Sequence, residues 1–251
     1  MSLLDFNSRR DFLDSVILTT YLTGMPDPQR SDVVPIDNAE RLVIAGGCNR
    51  LKLNLVVFHD QLSEEFVSNQ TTEFVSFVSV PTDPSRSVND YRFFIFRDWL
   101  AKNPVETVFC SDAFDVHVNR DPHSMIDGDW HLWAGIHRDW RIGDGTADGK
   151  YVAYQMRLAF GDVPEEVDQQ PILMAGTWGG RLCPVLRCLI LLCNEIDDVH
   201  SRKPHLNCNL PVFNRVAYRD IGQGHIWMKG SPLHSVFRAY DTHADVCFVH
   251  K

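Results

Sequence analysis

Short runs of Val, Ile, Leu and Phe, too brief for helices and set between polar or helical stretches, limit this chain most. SVILTTYL (Ser15–Leu22) reads as a first strand, and LNLVVFHD as another that ends at Asp60. EFVSFVSV (Glu73–Val80) alternates apolar and polar residues and stops at Pro81, as a strand does. RLVIAGG reads as an element entering a turn at Gly46-Gly47. VNDYRFFIFRDWLAKNP instead repeats its apolar residues at helical spacing. Asn89 or Asp90 is placed to cap it, and Asn103-Pro104 to end it. ETVFCSD then returns to a short strand. Strands alternating with helices predict an α/β fold with a mixed, mostly parallel sheet flanked by helices. Ligands of such sheets bind at the carboxyl ends of the strands. Thr20, Tyr21, His59, Asp60, Asp112 and Asp115 fall there.

The second half is less regular. GGRLCPVLRCLILLCNEI predicts a helix after Gly179-Gly180, with Pro184 in its first turn. DGDWHLWAGIHRDWRIGDGTADGK, with three tryptophans and five glycines, predicts a strand over Trp130–Ala134 and then a flexible loop. No repeat or linker divides the 251 residues, so they read as one domain.

A net charge of -9 lacks the basic footprint of a nucleic-acid binder, so an anionic ligand would need a locally basic pocket or a metal. Acids interrupt the N-terminal stretch, which does not read as a signal peptide. The longest apolar run, CLILLC (Cys188–Cys193), is too short to span a bilayer. A cytoplasmic protein, or the soluble catalytic domain of a larger one, is the expectation. Seven scattered cysteines without a CxxC pair point to free thiols, not to a disulfide framework or a thiolate zinc site. His131 and His137, or His200 and His205, show no recognised ligand spacing. HExxH, GxSxG and P-loop sequences are absent.

The stretch TVFCSDAFDVHV carries the chemistry. Its apolar run stops at Asp112, and Asp115 follows three residues later. Residues i and i+3 of a continuous strand face opposite ways, so the two acids converge only if the chain turns at Ala113-Phe114. Converged carboxylates suit a hard divalent cation bridging protein acids to a substrate diphosphate. The plainer reading is a solvated acidic turn.

VFCSDAFDVHVNRDP resembles the DxD-type motif region of GT-A glycosyltransferases, in the variant with two residues between the acids. The likeness runs on through ILTTYLTGMPDPQR, YRFFIFRDWLAKNP, ILMAGTWGG, NLPVFNRVAY and DVCFVHK, in the family's order. It implies a GT-A-like, Rossmann-like fold, with a nucleotide-binding half over about residues 1–120 and an acceptor-side half over about 121–251. It implies transfer from a UDP-sugar to a glycan or other hydroxyl acceptor, with Mn²⁺ or Mg²⁺, and leans toward retention of configuration. On this chain Asp112, Asp115 and His250 would hold the metal. Thr20, Tyr21, Arg92, Asp112, Gly179, Gly180 and Lys251 would hold the nucleotide. Trp178 and Thr177 would face the sugar or acceptor.

Two departures stand out. Asn209 and Leu210 occupy places where the family commonly has Asp and Gln, and Met174 stands where Asn is frequent. The Asn209 amide can hold a sugar hydroxyl but cannot serve as a base. An inverting route would need a carboxylate such as Asp198, Asp197 or Asp144. A non-catalytic nucleotide-sugar or glycan-binding domain on the same fold is the alternative, and a metal-dependent phosphoesterase using Asp112 and Asp115 is a third.

Overall fold

The computed structural model describes residues 14–28, 35–126, 132–222, 227–235 and 245–250. Seven strands form the central sheet: β1 (Ser15–Tyr21), β2 (Leu55–His59), β3 (Val75–Ser79), β4 (Thr107–Ser111), β6 (Leu132–Arg141), β7 (Pro171–Arg181) and β8 (Trp227–Lys229). Their order is β3-β2-β1-β4-β7-β6-β8. Neighbours are parallel except β4 with β7 and β7 with β6. The expected mixed, mostly parallel sheet with flanking helices is therefore present. From β1 the chain steps outward through β2 and β3, then returns to place β4 on the other side of β1. That reversal leaves a crevice beyond the carboxyl ends of β1 and β4, where open α/β sheets take their ligands.

The strands' period of two sorts the core. Val16 and Leu18 of β1 face a cluster built with α3 (Val88–Leu100), α5 (Leu182–Arg202) and α6 (Asn209–Val216). Ile17 and Tyr21 face the opposite cluster, with α1 (Val43–Leu51) and α2 (Glu64–Gln70). Burial of each large apolar side chain in these layers contributes about 1.5–3 kcal/mol.

Three expectations are corrected. Gly46-Gly47 is not a turn but lies inside α1. A Cβ on Gly47 would come 2.5 Å from the Val118 carbonyl oxygen, so the glycine lets α1 lie against the short strand β5 (Val116–Val118). The cap of α3 is Ser87, whose side chain accepts the Asp90 N–H at 3.1 Å; Asp90 itself turns inward and is fully buried. The strand expected over Trp130–Ala134 runs on to Arg141, and the expected flexible loop is helix α4 (Ala147–Phe160). Trp130 lies outside the described residues. The Thr146 hydroxyl caps α4 by accepting the Gly149 N–H, and the Asp144 carboxylate accepts the Arg141 and Thr146 N–H groups. This polar, glycine-bearing cap has a loop's composition, which hid the helix.

His123 contributes a pH dependence. Its Nδ1 pairs with the Thr107 hydroxyl at 2.8 Å, and its ring packs edge-on to Phe109. Burial pushes its pKa down to about 4, from an unfolded value near ~6.5. The imidazole folds neutral, so its contribution is whole above ~6.5 and fades as pH falls toward 4. Urea unfolding at pH 7 and pH 4.5 is expected to show wild type losing on the order of 2 kcal/mol more than His123→Asn, whose amide keeps a partner for Thr107.

Candidate functional site

β4 ends at Ser111, and the backbone bends through Ala113, Phe114 and Asp115 before β5 begins. This is the turn the two acids require. β5 pairs antiparallel with β9 (Phe248–His250), with Val116 opposite His250, and the pairing delivers an imidazole to the acids. His250 Nε2 lies 3.7 Å from Asp112 Oδ2 and 3.6 Å from Asp115 Oδ1. One donor atom from each residue falls within 4.8 Å of the others. His250 is buried, while the two carboxylates reach the crevice, 28% and 26% exposed. The Asp112 carboxyl is raised above the ordinary range, first by burial and then by the Asp115 charge; the Arg92 guanidinium opposes the shift.

Arg92 is not a solvated helix residue. It is 7% exposed, ion-pairs with Asp112 and donates to the Ala175 carbonyl at 3.1 Å. Thr20, Arg92, Asp112, Asp115, Asn209 and His250 all line one cleft of about 660 Å³, within the ordinary size of a ligand site. Asp60, at the end of β2, faces the following loops instead. Its carboxylate accepts the Thr23 and Gly24 N–H groups at 2.8 and 2.9 Å and the Thr82 hydroxyl at 3.1 Å.

Several expected residues do not reach the cleft. Tyr21 lies on the opposite sheet face, fully buried; its ring meets Phe114 edge-on at 4.9 Å and its hydroxyl donates to the Pro35 carbonyl. It supports the acid turn from below and offers no face to a base. Trp178 is fully buried between Phe93 and Phe213, so it is no sugar platform. Thr177 is also fully buried, and its hydroxyl donates to the Gly176 carbonyl. Gly179 and Gly180 sit within β7 opposite Phe109 and Val108, away from the Asp112 end of β4. A Cβ on Gly179 would come 2.6 Å from the Phe109 Cα, so the glycine serves strand packing, not a phosphate.

Asp198 is exposed on α5 and paired with Arg202. Asp197 pairs with Arg86, and Asp144 caps the turn before α4. None of the three lines the cleft. Lys251 lies outside the described residues.

The glycine at the site is Gly176. A Cβ there would overlap Asp112 Oδ2 and come 2.9 Å from His250 Cε1. Its position three residues before the conspicuous pair left no local signal. The far wall carries no sequence signature either: there His137 Nε2 of β6 and Asp148 Oδ2 of α4 approach to 2.8 Å beside Met174 and Tyr151. His137 has no ligand spacing in the sequence, and its partner lies on a helix that composition conceals.

No described helix is long and apolar enough to cross a membrane. The chain matches no protein-family model and no curated protein sequence.

Proposed function

We propose that this chain is a divalent-metal-dependent glycosyltransferase of the GT-A kind that takes a UDP-sugar and a hydroxyl acceptor. One observation carries the reading: Asp112, Asp115 and His250 converge beside Arg92 at the crevice where the strand order reverses. Two carboxylates and an imidazole suit Mn²⁺, and Mg²⁺ less well because of the imidazole. When bound, the metal would supply charge stabilisation to the departing diphosphate. Arg92 adds a fixed cation next to Asp112. Thr20 stands at the end of β1 on the nucleotide side, and the Asn209 amide offers a hydrogen bond to a sugar hydroxyl.

The course favoured is retention, with the leaving phosphate taking the acceptor proton. A second reading, inversion, gains support from Asp148, a carboxylate on the cleft wall held by His137. Asp148→Asn is expected to lower transfer by less than ~10-fold and to keep the donor's anomeric configuration in the product. Loss of ~100-fold, the size of a missing general base, with an inverted product in wild type, would move the assignment to inversion. Release of UDP from a panel of UDP-sugars with Mn²⁺ tests the activity itself. Binding without release from any donor would reduce the protein to a non-catalytic nucleotide-sugar binder.

A further inference from the structure

We propose that Asp90, His200 and Cys208 form a second metal site, a buried structural zinc centre joining α3, α5 and α6 behind the cleft wall. Asp90 comes from the first turn of α3, His200 from the last turns of α5, and Cys208 from the residue before α6. His200 Nε2 lies 3.3 Å from Asp90 Oδ2, and Cys208 Sγ lies 3.9 Å from both. The point equidistant from these three atoms is about 2.2 Å from each, close to ordinary zinc–ligand bond lengths. The Leu206 carbonyl oxygen lies 2.9 Å from Nε2.

The donor chemistry selects the ion. A thiolate, an imidazole and a carboxylate make a mixed set that zinc accepts, whereas thiolate disfavours Mn²⁺ and Mg²⁺. A thiolate and a carboxylate also balance the charge of Zn²⁺, which a site with Asp90 and Cys208 fully buried requires. Hydrogen bonding accounts for part of the cluster without metal. Nε2 can donate to Leu206 and Asp90, and Asp90 accepts the Cys208 N–H at 3.2 Å. Cys208 Sγ makes only long hydrogen bonds, at 3.9 Å, to Asp90 Oδ2 and His200 Nε2, and the three atoms together have the spacing of ligands around one ion. Burial and the Asp90 charge hold the free thiol protonated. Zinc binding releases the thiol proton, and His200 ligates as a neutral imidazole that carries its proton on Nδ1 and turns the Nε2 lone pair to the metal. Asn89 and Asn209, the chain neighbours of Asp90 and Cys208, line the cleft. The zinc centre would fix that wall without touching the substrate.

Cobalt substitution tests this apart from the nucleotide reading, because the Asp112, Asp115 and His250 set contains no sulfur. Co²⁺ is titrated into the chelator-treated chain and the near-ultraviolet spectrum recorded. The expected result is a thiolate-to-cobalt charge-transfer band complete at one equivalent and displaced by Zn²⁺. The band is expected to vanish in Cys208→Ser and to persist in Asp115→Ala and in Cys183→Ser, which removes the exposed thiol. No band at one equivalent in wild type overturns the proposal, and so does a band that survives in Cys208→Ser. If the serine variant does not fold, the wild-type and Cys183→Ser titrations still decide.

Discussion

Asp115→Ala is expected to weaken Mn²⁺-dependent UDP binding by at least ~100-fold while leaving the protein folded. The Asp115 side chain ends the acid turn, is partly exposed and adds repulsion to Asp112. Its loss removes a charge from a crowded pair and leaves no cavity in either core layer. Unfolding free energy should therefore change by less than ~1 kcal/mol. Calorimetry and a urea titration on the same preparation separate the two effects. Unchanged UDP affinity would remove the metal role from the acids and return Asp112 and Asp115 to a solvated turn.

Gly176→Ala is expected to lose the metal without removing any ligand. The added Cβ overlaps Asp112 Oδ2 and crowds His250 Cε1, and His250 is held in β9 by its pairing with β5. Asp112 must move, and its ion pair with Arg92 shifts with it. Overpacking of this kind costs about 1–3 kcal/mol of stability. Mn²⁺ binding followed by electron paramagnetic resonance should fall at least ~10-fold. Gly46→Ala is the control. Nothing lies within 4 Å of its Cβ, and a helix-interior glycine replaced by alanine gains about 0.5–1 kcal/mol. Mn²⁺ affinity equal to wild type in Gly176→Ala would mean that Asp112 is not a ligand.

What the sequence discloses is what neighbouring residues decide. Strands β1 to β4 and helix α3 have cores set by local periodicity, and all are visible in the chain. The turn after Ser111 was legible because two acids three residues apart can serve one ion only if the strand stops. Contacts between distant segments were not legible. Gly176 looks ordinary beside Gly179-Gly180, and only the register of β4 on β7 places it against Asp112. Trp178 looked like a binding residue because an aromatic beside glycines suits a sugar, yet strand alternation turns it into the α3–α6 layer. His137 with Asp148, and Asp90 with His200 and Cys208, have no spacing signature because each set is assembled across separate elements. Composition misled at RIGDGTADGK, whose glycines and acids form a turn and a helix start rather than a loop.

On the proposed function, the acid turn, His250 and Arg92 receive a metal-bound uridine diphosphate. Calorimetric titration of UDP, with and without Mn²⁺ and with GDP and ADP as controls, tests it most directly. Tight binding that requires Mn²⁺ and prefers uracil is the expected result. Absence of binding for all three nucleotides in the presence of Mn²⁺ would contradict it.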